Sequence, residues 1–115
     1  MKCLSVLQPW ATLLVFGAKR YETRGWHTGH RGPLAIHAAR KFPPAARALC
    51  GREPFRALLR AAGFDGWGRL PRGAVLGTVE LLDCTLVEEL GPVEEGELIL
   101  GDFRPGRWAW APERK

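Results

Sequence analysis

No apolar run in this sequence approaches the roughly 18 residues that a helical bilayer crossing demands, so a membrane span is excluded as its organising feature. Acidic residues are scarce where basic ones are dense: residues 1–72 hold 3 Asp or Glu against 13 Lys or Arg. The three cysteines, Cys3, Cys50 and Cys84, are odd in number and far apart, which argues against a disulfide framework and for reduced, buried thiols. A P-loop, a dinucleotide glycine fingerprint, a G-x-S-x-G elbow, an internal repeat and a low-complexity tract are all missing. Met1 to Pro9 carries one positive charge but no long apolar stretch and no small-residue cleavage site, so a cytoplasmic location is expected. His27 and His30 have a spacing that a metal could use, with Cys3 or His37 to complete a set. No Cys-x-x-Cys pair accompanies them, and the Gly29 turn accounts for the spacing; neither a metal nor any other cofactor is expected.

What is present fits one modest domain over residues 1–115, with 46% apolar and 25% charged residues. The charge is uneven. Residues 73–115 reverse the balance, with 4 Lys or Arg against 9 Asp or Glu, so a basic face aimed at an anionic partner is expected, nucleic acid foremost. Thirteen of the seventeen basic residues are arginine, the side chain suited to bidentate phosphate contact and to stacking. The plainer alternative is a protein that is merely arginine-rich.

One stretch concentrates chemistry. Gly17 to Arg24 places a helix stop, a lysine, a carboxylate and an arginine in one turn and the start of a strand. The preceding helix reads from Pro9, suited to a first helical position, to Phe16, with Gly17 supplying the left-handed stop. Strand alternation puts Glu22, Arg24 and Trp26 on one face and Tyr21 and Thr23 on the other. Lys19 has the wrong parity for Glu22 and meets it only from within the turn. Otherwise Lys19 and Arg24 are solvated charges, and the Glu22–Arg24 pair is worth only a few tenths of a kcal/mol.

Around that stretch, residues 2 to 7 alternate as a short strand. The helix that follows is apolar on every side and is expected to be buried. Trp10 completes an apolar stripe and is read as core before ligand wall. Gln8, a poor N-cap by propensity, is a candidate polar group in a cleft. Pro33 to Ala39 reads as a strand with Leu34, Ile36 and Ala38 on one face and His37 between two alanines on the other, leaving room for a ligand. Two helical pieces follow, Ala45 to Cys50 and Pro54 to Ala62, with Arg52, Arg56 and Arg60 as a positive ridge. Phe64 to Arg72 is a Gly- and Pro-rich loop around Trp67. Gly73 to Leu86 is a long strand with Val75, Gly77, Val79 and Leu81 on one parity and Leu76, Thr78, Glu80 and Leu82 on the other. Residues 87 to 102 form an exposed acidic segment expected to lie away from the basic face, and Arg107 to Ala111 a last strand with Trp108 and Trp110 on one face after the Pro105-Gly106 turn.

Gly17, Lys19, Glu22 and Arg24 stand in the G-x-K-x-x-E-x-R pattern, and the flanks Ser5 to Ala11, Arg31 to Ala38, Leu70 to Glu80 and Gly101 to Trp110 follow in order. In these blocks the chain resembles the ASCH domain family, which is related to PUA-like RNA-binding barrels. The resemblance implies an α+β fold: a small PUA-like β-barrel of mixed, mostly antiparallel strands, with a buried N-terminal helix and a second helical segment outside. Members commonly continue past the last strand seen here, so the barrel is expected to be open at its C-terminal edge or closed by a partner strand, with self-association through that edge.

Two uses of the site follow. As an RNA- or nucleotide-binding module, a basic cleft would be lined by Gln8, Trp10, Lys19, Glu22, Arg24, Trp26 and His37, with Trp26 as a stacking face. As a small hydrolase, similar to the ASCH-related amidohydrolases that act on modified nucleosides, Lys19 would be base or nucleophile and Glu22 or Glu80 the proton shuttle. Those enzymes carry threonine where this chain has Glu22, and the binding module is the favoured expectation.

Overall fold

The computed structural model describes residues 1–114. Its strands are β1 (Lys2–Val6), β2 (Glu22–Arg24), β3 (Gly32–Ala38), β4 (Ala74–Leu86) and β5 (Trp108–Arg114), in the sheet order β1-β3-β4-β5-β2. Only β1 and β3 run parallel; the other pairings are antiparallel. The sheet curls into an open half-barrel, the α+β, PUA-like architecture expected. The free edges belong to β1 and β2, whereas β5 is paired on both sides. The gap therefore lies between the first two strands of the chain rather than beyond the last.

Helix α1 (Trp10–Val15) plugs this half-barrel. Its apolar girth is explained by two separate cores. Ala11 and Leu14 join Leu4, Val6, Leu34, Ile36, Val79 and Leu81 in the barrel interior. Leu13 faces a second cluster built by Phe42, Phe55, Leu59, Leu70 and Leu100. That cluster carries α2 (Pro44–Leu49) and α3 (Phe55–Ala61), while the 3-10 turn Val87–Glu89 and α4 (Glu95–Ile99) precede β5. Pro9 sits one residue before the helix, after a cis bond to Gln8. Gly17 adopts φ +80°, the left-handed turn expected of it.

β4 departs from simple alternation. Ile36 pairs with Gly77 but His37 with Val75, so Leu76 is an extra residue that leans toward the barrel core while Val75 is exposed. A second irregularity at Leu82 lets both Leu81 and Cys84 face inward and leaves Leu82 outside. Parity put Val75 in one row with Gly77, Val79 and Leu81; a bulge, which period-2 counting cannot see, takes it out of that row. Trp108 and Trp110 share the inner face as expected, and Trp110 is buried. Cys50 and Cys84 are buried thiols, with burial pushing the Cys50 thiol up from its ordinary pKa, but Cys3 is exposed on the edge strand.

Candidate functional site

β2 is only three residues long, yet its register decides the site. Glu22 lies opposite Trp110 and Arg24 opposite Trp108, so both charged side chains project on the inner face of the barrel at its open seam. Lys19 reaches the same place from the turn, as the parity argument requires. Its backbone N–H donates to the Leu13 carbonyl at 3.0 Å, tying it to the end of α1.

The three charges form one unit. Lys19 Nζ donates to the Tyr21 carbonyl and lies 3.2 Å from Glu22 Oε1, while Arg24 Nη2 lies 2.8 Å from Glu22 Oε2. The side chains of Lys19, Glu22 and Arg24 are 1%, 11% and 20% exposed, so the solvated reading fails and the carboxylate is shared between two cations in a largely dry setting. Arg24 does one thing more. Its Nη2 also donates to the Ser5 carbonyl of β1 at 2.8 Å, bridging the two free edges of the half-barrel by a side chain where no ladder exists. Among the described residues, Arg24 Nε is buried without a hydrogen-bond partner.

A cleft of about 820 Å³ opens over this unit. Trp10, Lys19, Glu22, Arg24 and Trp26 all line it, and Trp26 is 53% exposed with the Arg24 guanidinium 5.5 Å from its ring centre. Two expected members do not. Gln8 is fully buried: its amide oxygen accepts from Thr12 N–H at 3.1 Å and its nitrogen donates to the Pro71 carbonyl at 2.8 Å, so it secures the start of α1 instead of facing a ligand. His37 lies on the outer face of β3, 3.1 Å from Ser5 Oγ through Nδ1, and lines no part of the cleft. Glu80, the alternative proton shuttle, stands opposite Pro33 and is likewise outside it. Trp10 combines the two roles weighed for it, packing against both cores and lining the cleft.

Several lining groups were not expected at the cleft, among them Arg52, which the sequence spacing puts on a positive ridge with Arg56 and Arg60. Arg52 and Glu53 come from the α2–α3 junction, and Ile99, Leu100, Gly101, Asp102 and Arg107 come from the C-terminal part. The acidic segment therefore does not stand apart from the basic one; its end forms a wall of the cleft. Gly101 approaches so closely that a Cβ there would sit 3.1 Å from Phe103 and 3.6 Å from Lys19 Nζ. Glu97, expected to be exposed, is buried and accepts from the backbone N–H groups of Arg20 and Tyr21 at 2.9 and 3.2 Å. It thus clamps the turn that delivers Lys19. Thr23 Oγ1 accepts from Asp102 N–H at 3.3 Å, and Arg107 Nη2 donates to the Thr23 carbonyl at 3.1 Å, fastening β2 to the same segment. The hydrogen bond from Arg104, with Arg107 close by, holds the Asp102 carboxyl down at about 2.

The lining charges are four cations, Lys19, Arg24, Arg52 and Arg107, against three carboxylates, Glu22, Glu53 and Asp102. The cleft is therefore nearly balanced in charge rather than uniformly basic.

Comparison with known proteins agrees with the architecture. Over 82 residues the chain is 46% identical to human (Homo sapiens) activating signal cointegrator 1, and 45% identical to the mouse (Mus musculus) protein of that name. The match takes in 71% of this chain but spans only 14% of the length of either relative. The ASCH domain matches residues 4–112, nearly the whole chain, and the protein belongs to the ASCH domain family.

Proposed function

We propose that the cleft binds one nucleotide of an RNA strand, with the Lys19–Glu22–Arg24 unit reading its polar edge and Trp26 offering a stacking face. The observation that carries this is the state of Arg24. Its Nη2 is committed to Glu22 and Ser5, its plane is thereby held at the cleft, and its Nε is unsatisfied. A buried donor without a partner is costly, and a ligand acceptor that came within hydrogen-bond reach of Nε would relieve that cost. Glu22 supplies the acceptor that a base donor would need, and the half-exposed indole beside the guanidinium suits base stacking. Membership of a family similar to PUA-like RNA binders supports the same reading.

The hydrolase alternative has no comparable support. The Lys19 amine is engaged by both the Tyr21 carbonyl and Glu22, and Glu80 is not at the cleft. The test is fluorescence anisotropy with a labelled single-stranded oligoribonucleotide at several salt concentrations. Arg24→Ala and Trp26→Ala are each expected to weaken binding about tenfold or more while the far-UV spectrum stays native. Equal affinity of both variants and the parent protein would overturn the proposal. Turnover of an acylated nucleoside that disappears in Lys19→Met would instead favour hydrolysis.

A further inference from the structure

A second cationic surface shares no residue with the cleft. Arg40 and Lys41 leave β3, Arg47 lies on α2, and Arg69 and Arg72 come from the loop around Trp67. Arg40, Lys41, Arg69 and Arg72 are exposed and Arg47 is half-buried. Ring contacts draw these segments together. The Arg47 guanidinium sits 5.1 Å from the Trp67 ring centre, Trp67 packs edge-on against Phe42 at 6.1 Å, and Arg72 lies 5.8 Å from the Phe42 ring. Arg40 folds against the same end of the loop, since a Cβ on Gly73 would meet its Nε at 3.3 Å.

Two properties together favour an anionic ligand here. None of the five cations is ion-paired among the described residues, as is also true of Lys2, Arg20, Arg52 and Arg56, whereas Arg31, Arg60, Arg104 and Arg107 each have a carboxylate within 4 Å. Like charges gathered on one face without counter-charges repel one another as far as salt leaves them unscreened, a cost that a polyanion removes. In addition, Arg47 and Arg72 are held by aromatic rings, so their guanidinium planes are partly fixed before any ligand arrives. Trp67 remains 45% exposed, and a flat indole beside fixed guanidinium groups is the composition of a base-stacking platform.

We propose that this face is a second nucleic-acid contact, laying the phosphates of a single strand across the cations and one base on Trp67. It stands whether or not the cleft is occupied.

The experiment is anisotropy titration of a labelled single-stranded oligoribonucleotide into parent protein, Arg69→Glu/Arg72→Glu, Trp67→Ala and the cleft variant Arg24→Ala, at 50 to 200 mM salt. The double charge reversal is expected to lower affinity at least about tenfold and to flatten the log-log salt slope by about 1.4, the loss of two phosphate contacts. Trp67→Ala is expected to lower affinity about tenfold while leaving the slope alone. A mononucleotide, followed by the fluorescence of the protein's tryptophans, reports on the cleft separately and is expected to respond to Arg24→Ala but not to the double reversal. Unchanged oligonucleotide affinity in a double-reversal variant that melts like the parent would overturn the proposal. So would an affinity insensitive to Trp67→Ala with full competition by heparin, which would make the face a general polyanion binder. Trp67→Phe, which keeps a ring against Phe42, controls for misfolding and is expected to retain most of the binding.

Discussion

Two carboxylates line the same cleft, each shared by two cations, and they differ chiefly in their access to water. Glu22 lies between Lys19 and Arg24, with side chains 11%, 1% and 20% exposed. Asp102 lies between Arg104 and Arg107, with side chains 35%, 78% and 28% exposed. The wet cluster has the shorter contact, 2.6 Å from Arg104 Nη2, and its carboxyl is held down at about 2. Yet it is the dry one that the fold is committed to. Charges taken out of water must keep their partners, because nothing else can solvate them, whereas an exposed carboxylate that loses an arginine regains water. Short distance is therefore a poor guide to importance, and burial is a better one.

Substitutions can break this contrast. The largest effect belongs to Glu22→Gln, which leaves the Lys19 ammonium buried beside only a carbonyl and an amide. A loss of about 3–5 kcal/mol in urea unfolding is expected, and a loss below about 1 kcal/mol would mean the unit is wetter than its exposure implies. Lys19→Met added to Glu22→Gln is expected to recover much of that loss, a coupling that a double-mutant cycle measures directly.

Glu97→Ala comes next. It strips the acceptors from two backbone N–H groups of the turn, at an expected cost of about 1–3 kcal/mol. Faster amide hydrogen exchange should be confined first to Arg20 and Tyr21. Glu97→Gln retains one acceptor and is expected to cost less.

Arg24→Lys sharpens the comparison from the binding side. A lysine keeps the charge but cannot span Glu22 and the Ser5 carbonyl with one planar group, so oligoribonucleotide affinity is expected to fall several-fold while stability changes little. Equal affinity of lysine and arginine at this position would reduce the residue to a point charge.

The smallest effect is at Asp102. Its folded-state pKa is depressed, so its contribution is fully present above the unfolded value near 3.9 and lost as pH falls toward about 2. Asp102→Asn is expected to lower the urea midpoint slightly at pH 7, where the contribution is full but screened by solvent, and that small gap should close as pH falls from about 4 toward 2.

The local part of the site was legible from residue order. Pro9, Gly17 and the alternation of Glu22 with Arg24 led to a helix, a stop and a two-charge face, and the mismatch in parity left Lys19 either solvated or in the turn beside Glu22, where it is found. What misled was long range. Gln8 and His37 are polar residues near the right elements, but one faces the Pro71 carbonyl and the other the outer side of the sheet. Glu97 looks like any other acid of residues 87–102, and its clamp joins positions 76 and 77 residues apart.

By itself the sequence determined which short segments form and that Glu22 and Arg24 share a strand face, because capping, left-handed glycine and strand alternation act over a few residues and need no partner. It also determined family membership, carried by blocks in fixed order. Only the tertiary structure decided which side of each strand is inside, since bulges at Leu76 and Leu82 reset the alternation. It alone decided, too, that the acidic segment walls the cleft and that Arg24 ties β2 to β1. The reason is physical. A buried charge chooses its partners by distance in space, and that distance is set by how two cores pack around α1, which no local pattern encodes.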